Sequence, residues 1–337
     1  MIDSYHPTTI TGLHKEGESA VSQSINIAQL LDPEIARALS ALEISTQDLS
    51  AETLAGVRAL RAKMPAPPIS DDVIRTDHKL PERPHASVRV HREKSASGLL
   101  PAIYWMHGGG LVLGSHLLDD PRFDRWCPAL GCVGASVDYA LSPESQYPGP
   151  LEDCYAGLRW LHENAPSLGI DRNRIGIGGS SAGAGLAAAL SLLARDRSEL
   201  SIAFQALIYP MLDDRQTTVS SQWPDPIWSP QANRFGWASY LGELHGDAVP
   251  AYAAAARATD LAGLPPTFIS VGALDVFSDE DIEYATRLRH AGVAVELHVY
   301  PGAPHGFDSV LPATAVAKRA ERDITHWLAE RLGEAQT

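Results

Sequence analysis

The sequence predicts an α/β fold, with a mostly parallel central sheet and helices on both faces. Three observations carry that expectation. Leu99 to Met106 is a nearly continuous apolar run, the composition of a strand buried on both sides. Strand-like and helix-like patterns then alternate through most of the chain, as repeated βα units do, and such units build parallel sheets. Within that alternation, Gly178-Gly179-Ser180-Ser181-Ala182-Gly183-Ala184-Gly185 stands between the strand pattern Arg174-Ile175-Gly176-Ile177 and a helical one. A chain of 337 residues, 45% of them hydrophobic, can bury a large core. The length suits one large domain with added elements or two domains, and the first is preferred.

Residues 1 to about 30 are polar and irregular. Asp32-Pro33-Glu34 then opens a helix, with a capping residue, a proline at the first position and an acid in the first turn. Ile35, Leu39 and Leu42 share one face of it. A second helix follows Ser50, with Leu54, Val57 and Arg61 along it, until Met64-Pro65-Ala66-Pro67-Pro68 stops it. This amphipathic pair must cover something apolar, either the plain core or, as a cap, an active site. Strands are expected from Val73 to His78 and from Ala86 to Arg92, joined by proline-containing turns, and then from Leu99 to Met106. A helix around Pro121 to Leu130, a strand from Cys132 to Tyr139 and a helix from Leu151 to Asn164 continue the alternation. After the glycine-rich turn, Leu186, Ala189, Leu190 and Leu193 fall on one helical face. A strand from Ala203 to Tyr209 follows.

The alternation breaks between Met211 and Pro250, where Trp223, Trp228, Phe235, Trp237 and Tyr240 crowd among Pro224, Pro226 and Pro230. So aromatic an insertion is either a packed excursion or a lid. The lid is preferred, because aromatic side chains line ligand pockets and long insertions in α/β proteins tend to be functional. The pattern then resumes with a strand from Thr267 to Val271, a helix from Asp279 to His290 and a strand from Val293 to Val299. The last helix, Thr314 to Leu332, is expected to bury Val316, Ala320, Ile324, Trp327 and Leu328.

A formal net charge of −14 leaves no basic excess to neutralise phosphates, which argues against a nucleic-acid partner. Met1 to Ala20 contains no apolar run flanked by positive charge, and no stretch approaches the ~18 apolar residues of a membrane span. A soluble cytoplasmic protein is the expectation. Cys127, Cys132 and Cys154 are too few and too irregular for a disulfide framework or a zinc site, so they read as buried thiols, and no metal is expected.

Gly179-Ser180-Ser181-Ala182-Gly183 fits Gly-x-Ser-x-Gly, which strand and helix patterns flank as that motif requires. The motif would arise by chance in roughly one chain in ten of this length, so partners are needed. A serine hydroxyl is a poor nucleophile at neutral pH. It needs a base within hydrogen-bond reach and a third group that holds the base in the right tautomer. Past the strand ending at Val271 comes Gly272-Ala273-Leu274-Asp275; past the strand ending at Val299 comes Pro301-Gly302-Ala303-Pro304-His305-Gly306-Phe307. Asp275 lies directly beyond a strand end, with Asp279, which reads as the opener of the next helix, as its competitor. His305 has a loop to itself, whereas His298 falls within a strand and His290 and His326 within helices. An acyl carbonyl also needs donors for its developing charge. The backbone N–H groups of Gly108 and Gly109, in His107-Gly108-Gly109-Gly110, and of Ala182 can supply them. His107 itself reads as a residue that shapes this loop.

These motifs resemble the hormone-sensitive-lipase-like (bacterial type IV) esterases of the α/β-hydrolase superfamily. The resemblance adds Asp138-Tyr139-Ala140-Leu141-Ser142-Pro143-Glu144, Tyr147-Pro148 with Leu151-Glu152-Asp153, Asp260-Leu261-Ala262-Gly263-Leu264-Pro265-Pro266 and Pro304-His305-Gly306-Phe307, and spans about residues 100 to 310 in the family's order. It implies the α/β-hydrolase fold with a helical cap, Ser181, Asp275 and His305 as catalytic triad, and Gly108, Gly109 and Ala182 as oxyanion hole. It also implies a cap built from residues 1–66 and an insertion at 211–249, on a core of residues 67–210 and 250–337. Two departures stand out: Ser180 precedes the nucleophile where the family commonly has Asp or Thr, and Ala140 opens a string that usually begins with Arg.

The expected function is a cofactor-independent serine carboxylesterase for short- to medium-chain acyl esters. Trp223, Trp228, Phe235 and Trp237 are its candidate pocket residues, and the resemblance suggests a homodimer paired near the last strand. The alternatives are an amidase or lyase on the same fold, or a small-molecule receptor that has lost its chemistry.

Overall fold

A computed structural model describes residues 27–41, 49–64 and 68–333. The expectations for residues 1–26, for Leu42 and for the break at Pro65-Ala66-Pro67 lie outside the described residues. The eight strands are β1 (Val73–Leu80), β2 (Arg83–Glu93), β3 (Leu100–Met106), β4 (Val133–Asp138), β5 (Ile170–Ser180), β6 (Gln205–Ile208), β7 (Thr267–Gly272) and β8 (Val295–Tyr300). They form one sheet in the order β1-β2-β4-β3-β5-β6-β7-β8. β2 runs antiparallel to both β1 and β4, and every pairing from β4 through β8 is parallel. The α/β expectation is borne out.

The helices are α1 (Ile27–Leu30), α2 (Pro33–Leu39), α3 (Leu54–Arg61), α4 (Asp120–Leu130), α5 (Gly149–Asn164), α6 (Ala182–Arg197), α7 (Pro230–Leu241), α8 (Ser278–His290), α9 (Phe307–Val310) and α10 (Ala315–Gly333). The unbroken apolar run of β3 has a direct cause in the alternation of side chains across a strand. Ala102, Tyr104 and Met106 join the core that holds Leu158, Leu186, Leu190 and Leu288 of α5, α6 and α8. Ile103 and Trp105 join the opposite core, with Phe123 and Trp126 of α4 and Ile324, Trp327 and Leu328 of α10. Both faces are therefore sealed, and the site can form only at the sheet's edges or ends.

Helices α2 and α3 dock at the end of the sheet where the site lies. Asp32 caps α2, its Oδ1 accepting from the N–H of Glu34 at 2.8 Å and of Ile35 at 3.3 Å. Ile35 is buried with Tyr300, Ala303 and Phe307, beside the loop that follows β8. Arg58 of α3 donates to the carbonyls of Val112 (2.9 Å) and Ser142 (2.8 Å) and pairs with Glu144 at 2.6 Å.

Some boundaries differ from the sequence reading for physical reasons. β5 begins at Ile170 because Leu100 pairs with Ile170 before a register shift brings Ala102 opposite Ile175. β6 ends at Ile208 because Tyr209 adopts a positive φ of 38°. The aromatic insertion is not irregular throughout: it contains α7, whose cap Ser229 accepts from Ala232 N–H at 3.1 Å with Pro230 in the first turn.

Candidate active site

Ser181 sits at the junction of β5 and α6 with φ 57° and ψ −122°. A positive φ at a non-glycine residue costs of order 1–3 kcal/mol and persists only where its surroundings fix it. Here Ser181 N–H donates to Ile208 carbonyl at 2.8 Å, and its own carbonyl accepts from Gly185 (3.0 Å) and Met211 (3.1 Å). The turn also needs strand and helix to approach closely: a Cβ on Gly183 would collide with the carbonyl of Met106.

β7 and β8 bring the other two groups. Asp275, fully buried after β7, accepts from Phe277 N–H through Oδ1 at 2.9 Å and from His305 Nδ1 through Oδ2 at 2.8 Å. An ionised carboxylate only accepts, so the hydrogen lies on Nδ1 and the Nε2 lone pair faces Ser181 Oγ, 2.8 Å away. Burial alone would lower the His305 pKa. The charge and hydrogen bond of Asp275, helped by the charges of Asp225 and Asp308, overcome that effect and raise it above the ordinary 6.5. Around the ring, Tyr209 and Phe277 present edges at centroid distances of 4.8 and 5.0 Å.

The glycine loop after β3 adjoins this junction. A Cβ on Gly108 would lie 3.0 Å from Ser180 carbonyl and 3.4 Å from Ser181 Cβ. Gly109 has φ 127°, and its carbonyl accepts from Leu113 N–H at 2.9 Å, so the loop turns tightly where a side chain would strike Leu113. His107 donates from Nδ1 to Gly108 carbonyl at 2.9 Å and stacks on Tyr139 at 4.2 Å. Burial pushes its pKa down to about 4, so at neutral pH it is an uncharged brace for the loop.

The competing residues are engaged elsewhere. Asp279 accepts from Ser220 N–H at 2.8 Å, His298 pairs with Glu296 at 2.7 Å, His290 meets Arg289 and His326 lies near Glu330. Among the insertion's aromatics, Trp228 is 4% exposed, with its ring centroid 6.4 Å from that of His305 and its ring against Gly110, where a Cβ would collide with it. Trp237 packs on Tyr240 at 6.3 Å, Phe235 is half-buried against the main core, and Trp223 is half-exposed after the short turn Ser220–Gln222.

Two features escaped sequence reasoning. Asp225, within Pro224-Asp225-Pro226, accepts from His305 N–H through Oδ2 at 2.7 Å. Its only signal was an aspartate in a proline-bounded turn, the ordinary mark of a local cap. Behind Ser181, Ser180 Oγ lies 3.5 Å from Nη2 of Arg122, a buried guanidinium that stacks on Trp105 and Trp126 and lies 3.8 Å from Asp308. Asp308 in turn accepts from Tyr209 OH at 2.6 Å.

A hydroxyl, an imidazole and a carboxylate in series, at the end of a parallel sheet and beside a glycine loop, form the arrangement of a serine hydrolase of the α/β-hydrolase type. The model of a family described as alpha/beta hydrolase fold matches residues 103–309. The chain belongs to that family, in its hormone-sensitive-lipase-like esterase branch. It is 37% identical over 238 residues to carboxylesterase NlhH of Mycobacterium tuberculosis, covering 68% of this chain and 74% of the relative. It is 30% identical to arylacetamide deacetylase of Bos taurus, over 79% of this chain and 82% of the relative. A solved bacterial heroin esterase superposes with a TM-score of 0.82 at 40% identity, covering 91% of this chain and 99% of the other. Among the described residues, no helix is long and apolar enough to cross a membrane, and no group of three or more His, Cys, Asp or Glu side chains is placed to hold a metal ion.

Proposed function

We propose that the protein is a serine carboxylesterase acting on short- to medium-chain acyl esters through an acyl-enzyme. The observation that carries this reading is the hydrogen-bonded series Ser181 Oγ, His305 Nε2, His305 Nδ1, Asp275 Oδ2, with 2.8 Å at each contact. Ser181 attacks the carbonyl carbon and gives its proton to His305. The N–H groups of Gly108, Gly109 and Ala182 receive the oxyanion, and the imidazolium, held by Asp275, protonates the departing alcohol. Water then takes the alcohol's place, losing a proton to His305 as it attacks the acyl-enzyme and releases the acid. Ser181→Ala should abolish turnover of p-nitrophenyl butyrate and labelling by a fluorophosphonate, with the fold intact by circular dichroism. Near-normal turnover in that variant would overturn the assignment.

The likeness to an arylacetamide deacetylase supports amide hydrolysis as a second reading. Ester and amide substrates with the same acyl group separate the two, the amide reading requiring comparable turnover of both. In our reading α2, α3 and the insertion at residues 211–249 form a cap over the site, with Trp228 on the pocket wall. Three buried free thiols fit a reducing, cytoplasmic setting. The edge strand β8, with Val299 exposed, fits pairing with a second copy in a homodimer, which a solution mass would test.

A further inference from the structure

We propose that Asp225 is a positioning residue of the acyl-transfer site, a carboxylate carried by the insertion that holds the main chain of the base. The inference rests on the assignment of Ser181 and His305 above. Asp225 is 1% exposed, and both of its oxygens are used. Oδ1 accepts from Ile227 N–H at 2.8 Å and from Trp228 N–H at 3.0 Å, which closes the local turn. An ordinary turn-capping aspartate would stop there and leave its second oxygen to solvent. Here Oδ2 reaches across 80 residues of sequence to the N–H of His305, at 2.7 Å.

That bond has a specific consequence for the imidazole. His305 lies between Pro304 and Gly306, outside any strand or helix, and Gly306 has φ 63°. Asp275 fixes the ring through Nδ1. It does not fix the backbone from which the ring hangs, and Asp225 does. With both in place, Nε2 is held on the line to Ser181 Oγ. The turn that Asp225 closes also carries Trp228, whose ring lies beside His305 and on Gly110. One carboxylate thus joins the base, the pocket wall and the glycine loop into a single unit.

Asp225 acts electrostatically as well. The charged groups that bear on His305 are Asp275 after β7, Asp225 in the insertion and Asp308 in α9; Arg122 of α4 lies beside Asp308. Burial, and then the charge of Asp275, push the Asp225 carboxyl up to about 7, against the opposing pull of His305 and the N–H donors. In its ionised form it supports the imidazolium that forms during acyl transfer, a support that protonation withdraws as pH falls below about 7.

The test compares wild type, Ser181→Ala, Asp225→Asn and Asp279→Asn with p-nitrophenyl butyrate, reading kcat and KM separately between about pH 5 and 9. Asn keeps one acceptor oxygen and turns an NH2 group against an N–H, so the base loses its anchor or the turn does. The expected result for Asp225→Asn is a fall in kcat of about 10- to 100-fold with KM changed by less than about threefold. The acid limb of kcat/KM should move to lower pH, because one carboxylate no longer raises the His305 pKa. Asp279→Asn loosens the same insertion at Ser220 without touching His305, and should leave that limb in place. The proposal is overturned if Asp225→Asn keeps kcat within about twofold and the wild-type limb, or if Asp279→Asn shifts the limb equally. Should Asp225→Asn not fold, Asp225→Glu carries the test. It retains the charge but overreaches the N–H, so kcat should fall with the limb unmoved, and full activity refutes the proposal. Turnover surviving in Ser181→Ala would strike the esterase assignment itself, whereas a Ser181-dependent enzyme indifferent to Asp225 strikes this proposal alone.

Discussion

Asp275→Asn should cost the enzyme far more than a change of one atom suggests. The reason is the second bond that Asp275 makes. Its Oδ1 accepts from Phe277 N–H at 2.9 Å, a backbone donor that cannot turn away, while Oδ2 accepts from His305 Nδ1 at 2.8 Å. Asparagine has one acceptor oxygen for these two donors. If that oxygen stays on Phe277, its NH2 group faces Nδ1, forces the hydrogen onto Nε2 and leaves Ser181 without a base. If it flips, NH2 and N–H confront each other in a buried site, at about 1–3 kcal/mol. Either orientation also removes the negative charge beside the imidazolium, worth about 4 kcal/mol for a pair ~4 Å apart at an effective dielectric constant of ~20. The sum, about 5–7 kcal/mol, corresponds to a loss of roughly 10⁴- to 10⁵-fold in kcat/KM. Steady-state hydrolysis of p-nitrophenyl butyrate measures it, with circular dichroism to show that the variant is folded. A loss smaller than about 50-fold would refute the reasoning, since the tautomer and charge effects together exceed it.

Three further outcomes are expected. The His305 pKa is raised above 6.5 and the reaction needs the neutral imidazole, so kcat/KM should fall as pH drops through a midpoint above 6.5; a limb below that value would contradict the coupling to Asp275. Gly109→Ala, at φ 127° with Leu113 in the way, should displace the N–H groups proposed to receive the oxyanion and lower kcat by about 10²- to 10³-fold, as the same ester assay would record. Glu280 is fully buried and its pKa is raised well above the ordinary 4.5, yet its Oε1 alone accepts from the N–H groups of Leu212 (2.9 Å) and Asp213 (3.2 Å). Glu280→Gln keeps that oxygen and should lie within about 1 kcal/mol of wild type in urea denaturation, whereas Glu280→Ala should lose about 1–3 kcal/mol for each orphaned donor. The folded state holds a proton that the unfolded chain releases, so on this account wild-type stability should decline as pH rises above 4.5, and Glu280→Gln should flatten the slope.

Much of this site could be read in the sequence because its parts obey local rules. Ser181, Asp275 and His305 each follow a strand whose apolar pattern is plain, and each is introduced by glycine or proline within four residues. Parallel strand ends lie side by side, so three residues in three such loops are brought close by topology alone. Asp225 obeys no such rule. It stands in an insertion with no strand to fix its position, and its local use, accepting from Ile227 and Trp228, hides the distant one. Which of the insertion's aromatics stands beside the site was hidden for the same reason. Trp228 and Trp237 are equally buried, but only tertiary packing decides that one meets His305 and the other Tyr240. The α7 helix was a different kind of miss. Ser229-Pro230 repeats the start signal that Asp32-Pro33 gave for α2, and the surrounding prolines masked it.

Ser180 belongs with the features that only packing explains. An acid in its place would sit against Arg122 and form a buried pair. In this chain the guanidinium instead lies over the rings of Trp105 and Trp126, 3.8 Å from Asp308, which also holds the Tyr209 hydroxyl beside the His305 ring. The carboxylate opposite Arg122 is thus Asp308, carried by the helix that follows His305. A serine before the nucleophile is therefore compatible with a compensated charge. It also ties the elbow, through Arg122 and Asp308, to the loop that carries His305, so the residue that departs from the family's habit marks a second link between nucleophile and base.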